Sequence, residues 1–180
     1  MISTKDFLAY ELEHGIGFHN PDFVRLANET AKQISGLNVK TILDYGAGTG
    51  VYSQAYINEG YEVVAFEIFK EHQEYIKLNA PKVNLISEPV TTDLLSFIET
   101  AEHMTDKELD TLMTSISPDR ILFSSTSQRL PDFDAMWGHI NIKEQREWDL
   151  FFAEYGYTKL KDLSYPTSWA KLYTKIQKTL

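Results

Sequence analysis

The sequence contains no cysteine, and none of its apolar runs is longer than a strand. Without cysteine the chain has no disulfides, thiolate nucleophiles or cysteine-ligated zinc, so a bound metal would depend on carboxylates and histidines. The apolar runs are too short for a transmembrane helix, and the N-terminus MISTKDFLAYELEH lacks the basic and apolar segments of a signal peptide. We therefore expect a cytoplasmic protein that does not associate with a membrane.

Positive charge is also scarce. The chain has 17 Lys and Arg against 26 Asp and Glu, which gives a formal net charge of −9. The basic residues are scattered and do not form the stripe that binding to a phosphate backbone requires, so a long nucleic acid is disfavoured as a partner. A length of 180 residues suits one hydrophobic core. We expect a single domain over residues 1–180, and the sequence does not indicate the oligomeric state.

Predicted strands and helices alternate from Val39 onward, after an N-terminal helical extension over residues 1–36. This alternation is typical of a mostly parallel sheet with helices on both faces, in which ligands bind beyond the carboxyl ends of the strands. The predicted strands cover residues 41–45, 61–67, 83–87, 93–98, 120–124, 158–163 and 169–176. The predicted helices follow the N-caps Asn20, Thr105 and Asn141, and cover residues 51–59 and 70–78.

A glycine-rich loop follows the first of these strands. Its sequence, DYGAGTG from Asp44 to Gly50, has glycine at every second position. No Gly-Lys-Ser or Gly-Lys-Thr closes the loop, which excludes a P-loop. The dinucleotide fingerprint has its third glycine three residues after the second, whereas here Gly50 follows Gly48 by two. Asp44 would also face a pyrophosphate in that pocket. The loop therefore predicts a ligand that is not held by its phosphates.

The stretch from Asp44 to Gly50 resembles the first motif of the class I S-adenosylmethionine-dependent methyltransferases, and the resemblance extends over about residues 39–176. It implies a Rossmann-like α/β fold with a seven-stranded, mostly parallel sheet, the last strand antiparallel, and helices on both faces. The implied cofactor carries a cationic amino group and a sulfonium, which a carboxylate near the loop attracts. The resemblance assigns cofactor binding to Asp44, Tyr45, Gly46, Ala47, Gly48, Gly50, Glu67, Ile68 and Glu88.

Three of these assignments lie outside the loop. Glu67, at the end of the second strand, matches the acidic residue that accepts hydrogen bonds from the ribose hydroxyls in this family. Ile68 would lie against the adenine. Glu88 is the only acidic candidate near the adenine amine, in a segment, SEPVTT, that is shorter than the family usually has. The N-terminal extension would form a lid over the acceptor site, as such segments often do in this family.

A second motif, ETAEH from Glu99 to His103, ends the fourth strand, where the methyl acceptor must sit. His103 and Glu99 are the candidate catalytic residues, with His103 as the base that removes the acceptor's proton. The Glu-x-x-Glu-His pattern resembles quinone-biosynthesis O-methyltransferases and small-RNA 2′-O-methyltransferases, the latter of which hold magnesium. It implies a Mg²⁺ or Mn²⁺ site made of Glu99, Glu102, His103 and His139. The alternative is that His103 braces the loop and no metal binds.

Three functions follow from the resemblance. The first is methyl transfer to the oxygen of a small-molecule acceptor. The second is metal-dependent 2′-O-methylation of RNA, which is disfavoured by the acidic composition and by Ser124-Ser125-Thr126, where that subgroup has Thr-Pro-Asn. The third is a partner subunit that binds S-adenosylmethionine without catalysis.

Overall fold

A computed structural model describes residues 4–176 of the chain as a seven-stranded sheet with helices on both faces. The strand order is β3-β2-β1-β4-β5-β7-β6; the first five strands are parallel, and β7 is antiparallel to both of its neighbours. This arrangement confirms the predicted fold. The strands are β1 Thr41–Tyr45, β2 Glu62–Phe66, β3 Asn84–Ile86, β4 Leu94–Ile98, β5 Arg120–Ser124, β6 Tyr157–Asp162 and β7 Lys171–Lys175.

Seven α-helices and one short 3₁₀ turn connect or precede these strands. The helices are α1 Thr4–Glu13, α2 Pro21–Lys32, α3 Val51–Asn58, α4 Lys70–Asn79, α5 Asp106–Ser115, α6 Pro131–Trp137 and α7 Gln145–Glu154, and the 3₁₀ turn is Ala101–His103. Within residues 4–176, none of these helices combines the length and the apolar character needed to cross a bilayer.

The alternation of side chains along the central strands divides the core into two layers. Ile42 of β1 packs with α2 and α3 on one face of the sheet, in a cluster that includes Ala31 and Tyr56. Leu43, the next residue, packs on the other face with α5 and α7, whose Trp148 is fully buried. Both faces are therefore closed near the sheet centre, and the carboxyl ends of β1, β2 and β4 meet at one edge.

The structure differs from the predicted elements in the segment after β5. Helix α6 was not predicted, and none of its residues is buried. Asn141 does not cap the following helix; its side-chain amide donates to the Met104 carbonyl oxygen over 2.9 Å. Helix α7 instead starts after Glu144, which forms a capping box with Glu147. The predicted caps Asn20 and Thr105 are both confirmed.

Candidate functional site

The glycine loop leaves β1 with a backbone that favours glycine at three positions. Gly46, Gly48 and Gly50 have φ angles of 71°, 52° and 78°, in the left-handed region that other residues avoid. A Cβ on Gly46 would lie 2.3 Å from the Thr100 side chain, so the loop packs directly on the segment that carries the second motif. Within residues 4–176, a Cβ on Gly48 would meet only a carboxylate oxygen of Glu11, 4.0 Å away. There is therefore room for a methyl group above Gly48, bounded by Glu11 of α1.

Asp44 lies beneath this loop and is 4% exposed. Its carboxylate accepts hydrogen bonds from the Ser53 hydroxyl over 2.5 Å and from the Ser96 hydroxyl over 3.0 Å. Burial raises the pKa of Asp44 to about 6, although the two hydroxyls act in the opposite direction. Among residues 4–176, no basic side chain forms an ion pair with it. Its negative charge is thus left for a cationic ligand at the loop.

Glu67 connects the end of β2 to the same loop. One carboxylate oxygen accepts a hydrogen bond from the Gly48 amide and the other from the Phe69 amide, each over 2.8 Å. Burial raises the pKa of Glu67 despite these two bonds, because only 5% of the residue is exposed. Each carboxylate oxygen can accept a further hydrogen bond, so Glu67 is already oriented for a ligand with hydroxyl groups.

The remaining predicted cofactor residues are divided between a pocket and the surface. An open pocket of about 640 Å³ is lined by Tyr45, Phe66, Glu88 and residues of α5. The Tyr45 and Phe66 rings stack with their centroids 4.8 Å apart. Ile68 is 69% exposed and does not line this pocket. The structure therefore brings Tyr45 and Glu88 together and leaves Ile68 outside.

Helix α1 covers the glycine loop. Glu11 pairs with His72 of α4 over 2.5 Å, and both side chains are largely buried. The Phe7 ring lies 6.0 Å from the His72 ring and 6.3 Å from the His103 ring, so α1 packs against α4 and the second motif. Sequence reasoning missed Glu11 and His72, because a glutamate and a histidine on amphipathic helices give no signal that distinguishes them from solvated charges.

A second group of ionisable side chains lies at the end of β4. Ligand atoms of Glu102, His103 and His139 lie within 4.8 Å of one another. Glu102 is fully buried, and within residues 4–176 neither of its carboxylate oxygens forms a hydrogen bond of normal geometry, although Ser125 and Glu99 lie close enough to affect its pKa. Burial raises the pKa of Glu102 well above its usual value, and the charge of Glu99 adds to this effect. Burial, with help from His139, lowers the pKa of His103 to about 4.

Glu99, the fourth predicted ligand, does not belong to this group. It has a φ of 45°, and its carboxylate accepts hydrogen bonds from the Ser124 hydroxyl and the Trp169 indole, the latter over 3.2 Å. These two donors hold it toward the ends of β5 and the segment before β7. The structure thus unites three of the four residues that were predicted to bind a metal.

The three united residues have the chemistry of a divalent-cation site. A buried carboxylate without a partner costs free energy unless it is protonated or meets a cation. The two imidazoles are the nitrogen ligands that accompany carboxylates at Mn²⁺ and related ions, and His103 is neutral at physiological pH, as a ligand must be. The cluster therefore fits a divalent cation, which Glu102, His103 and His139 would hold.

The strand order and the glycine loop at the carboxyl end of β1 define a Rossmann-like domain. The family model described as a methyltransferase domain matches residues 21–162, more than half of the chain. The chain therefore belongs to the methyltransferase-domain family, as its glycine motif predicted. No curated protein sequence matches the chain.

Three solved structures resemble this fold. Magnesium protoporphyrin IX methyltransferase from Synechocystis PCC 6803, with bound SAH, has a TM-score of 0.62 at 11% identity over 84% of this chain and 83% of its own. The methyltransferase domain of bacterial CtHen1-C has a TM-score of 0.64 at 15% identity, over 86% and 100%. SAM-bound CalS10, an amino pentose methyltransferase from Micromonospora echinaspora, has a TM-score of 0.59 at 13% identity, over 86% and 90%. These likenesses establish the fold.

Proposed function

We propose that this chain transfers the methyl group of S-adenosylmethionine to a hydroxyl of a small-molecule acceptor, with the assistance of a divalent cation, Mg²⁺ or Mn²⁺. The observation that carries the proposal is the buried Glu102 beside two histidines, near the glycine loop. Thr100 connects the two regions, because its side chain packs against Gly46 of the loop and the 3₁₀ turn that contains Glu102 follows it directly. A methyl donor and an activating site would therefore be neighbours.

The cofactor's place is supported by the groups around the loop. Asp44 supplies negative charge beneath the backbone that a cationic amino group and sulfonium would approach. Glu67 offers carboxylate oxygens for two ribose hydroxyls. The pocket beside Tyr45 and Glu88 provides an aromatic wall and an acidic group for a base such as adenine. SAM or SAH in two of the structural neighbours supports the same choice of donor.

The reaction requires alignment and the removal of one proton. The acceptor oxygen forms a bond to the methyl carbon as the carbon–sulfur bond breaks, and the hydroxyl proton leaves. A bound divalent cation would lower the pKa of that hydroxyl. His103, with a pKa of about 4, is a weak base, so we assign it the role of ligand. We keep Glu99 as the candidate proton acceptor, because its charge acts on Glu102 while its own carboxylate lies outside the ligand cluster.

The surroundings of the cluster support an acceptor with an apolar body. Leu130, Phe133, Met136 and Ile140 are each at least 45% exposed, although they are large apolar side chains. The Phe133 ring lies 5.9 Å from the His139 ring, so this apolar surface begins at the cluster. The scarcity of positive charge in the chain argues against RNA.

We also propose that residues 1–36 act as a lid on the single domain. Helix α1 is held on the glycine loop by the Glu11–His72 pair and on the second motif by Phe7. A helix in that position must move for a ligand to reach the space above Gly48. The lid would therefore cover both the cofactor and the acceptor.

The test is turnover of S-adenosylmethionine to S-adenosylhomocysteine with a panel of hydroxyaromatic acceptors. We expect turnover that EDTA abolishes and that Mg²⁺ or Mn²⁺ restores. Glu102→Gln should lose activity, while Glu154→Gln, an exposed change at the end of α7, should keep it. Activity that survives EDTA would remove the cation. Binding of the cofactor without turnover would favour the partner-subunit function, and methylation of a short RNA, abolished by oxidation of its 3′-terminal ribose, would favour the RNA function.

A further inference from the structure

A carboxylate on α6 lies within hydrogen-bond distance of one cluster histidine. Asp134 Oδ1 lies 3.1 Å from His139 Nδ1, and the two side chains are only 13% and 8% exposed. We propose that Asp134 is a positioning residue that fixes the ring orientation and tautomer of His139. Because a carboxylate only accepts hydrogen bonds, the proton of His139 must be on Nδ1. The Nε2 lone pair is then free for a cation in the cluster.

Asp134 is itself held in place by its own turn. Its second carboxylate oxygen accepts a hydrogen bond from the Leu130 amide over 2.7 Å, and its carbonyl oxygen accepts one from the His139 amide over 2.9 Å. Gly138, with a φ of 76°, reverses the chain between them. Asp134 therefore contacts both the backbone and the ring of His139, which fixes the histidine at two points.

The segment after His139 is tied to the cluster as well. The amides of Ile140 and Asn141 both donate to the Glu102 carbonyl oxygen, over 2.8 and 2.9 Å. Helix α6 buries none of its residues, but its Trp137 ring packs against the Tyr10 ring of α1, with centroids 4.9 Å apart. Its Asp134 adds the polar bonds to His139. A carboxylate in this position suits a metal-binding histidine, since an imidazole ligand usually donates its other nitrogen–hydrogen group to a carboxylate or carbonyl.

This inference rests on the proposed cation site, but its first test does not require a metal. In the full chain labelled with ¹⁵N-histidine, the metal-free wild type should show His139 with its proton on Nδ1. The resonance is assigned by its loss in His139→Gln. Asp134→Ala should shift the population toward the Nε2-protonated form. Asp134→Asn should keep the wild-type tautomer, because the amide oxygen still accepts, and Asp132→Ala on the same helix should have no effect.

The second test is the affinity for Mn²⁺ alone, measured by electron paramagnetic resonance. We expect Asp134→Ala to weaken binding by about 10- to 100-fold, Asp134→Asn to weaken it less, and Asp132→Ala to match the wild type. An Nε2-protonated His139 in the wild type would overturn the inference, as would an unchanged affinity in Asp134→Ala. If the wild type binds no Mn²⁺ but the tautomer shifts as expected, the cation proposal fails and the positioning role stands. If Asp134→Ala does not fold, the asparagine variant decides, because a weaker affinity for Mn²⁺ than that of the wild type supports the positioning role and an equal affinity overturns it.

Discussion

The Gly48 amide donates a 2.8 Å hydrogen bond to a carboxylate oxygen of Glu67. This bond joins the glycine loop to the residue that follows the second strand, and the other oxygen of Glu67 is fixed by the Phe69 amide. The loop and the carboxylate are therefore held in one arrangement before any ligand binds. Such preorganisation lowers the free-energy cost of ordering the site on binding.

Replacement of Glu67 by glutamine should destabilise the folded protein, because it disturbs the hydrogen bonds that hold the glycine loop. Both carboxylate oxygens accept backbone amides, and a glutamine side chain would turn an NH₂ group toward one of them. We expect the free energy of unfolding to fall by about 1–3 kcal/mol, which is the usual cost of a buried donor without a partner. Urea unfolding measures this. Glu62→Gln, at the exposed start of β2, is the control, and equal stability of the two variants would contradict the role of Glu67.

Replacement of Gly46 by alanine should cost more than replacement of Gly60. Both glycines have positive φ angles, 71° and 93°, so both variants carry the backbone cost of about 1 kcal/mol. Only Gly46→Ala also places a methyl group 2.3 Å from Thr100, whereas Gly60 has no atom within 4 Å. We expect an additional loss of about 1–3 kcal/mol from this overpacking, read from thermal unfolding. Identical losses would show that the loop does not pack against Thr100 this tightly.

Asp44 should make the folded state less stable as pH rises from about 4 to 6. Its pKa is raised to about 6 in the folded protein, so the folded state holds a proton that the unfolded state releases near pH 4. Ionisation of the buried carboxyl therefore costs up to about 3 kcal/mol above pH 6. The asparagine side chain of the Asp44→Asn variant cannot ionise, so this variant avoids that cost. The free energy of unfolding of the variant, relative to that of the wild type, should therefore be more favourable at pH 7.5 than at pH 4.5. Parallel pH profiles in urea unfolding would argue against a raised pKa.

The Glu11–His72 pair should hold α1 more firmly at lower pH. Burial disfavours the charged imidazole, but the hydrogen bond and charge of Glu11 outweigh this effect and raise the pKa of His72. The stabilisation is thus complete below the unfolded pKa of about 6.5 and is lost as pH rises through the raised folded value. Hydrogen-exchange protection of α1, corrected for intrinsic rates, should fall over that range in the wild type. It should fall little in Glu11→Gln, whereas the exposed change Glu13→Gln should behave as the wild type.

The parts of the fold that sequence predicted best are those encoded by neighbouring residues. Strands β1 and β5 have the predicted bounds, because each is a short apolar run with clear ends. The glycine loop was identified because its whole motif lies within seven residues. Helix α6 was missed although Pro131 begins it and Gly138 ends it, because it is short and buries none of its residues. The orientation of Glu99 depends on Ser124 and Trp169, which lie 25 and 70 residues away in the sequence.

We propose that S-adenosylmethionine binds above Gly48. Gly48→Asn should fill that space and still fold, because asparagine tolerates a left-handed backbone and no atom lies closer than 4.0 Å to the new Cβ. The matched control is Gly36→Asn, which has a φ of 82° and open space outside the site.

The deciding measurement is calorimetric titration of the wild type and both variants with S-adenosylmethionine. We predict binding to the wild type and to Gly36→Asn, and a loss of at least about 10-fold in affinity for Gly48→Asn, which corresponds to about 1.4 kcal/mol. Binding to Gly48→Asn as tight as to the wild type, with both variants folded, would show that the cofactor does not bind above Gly48.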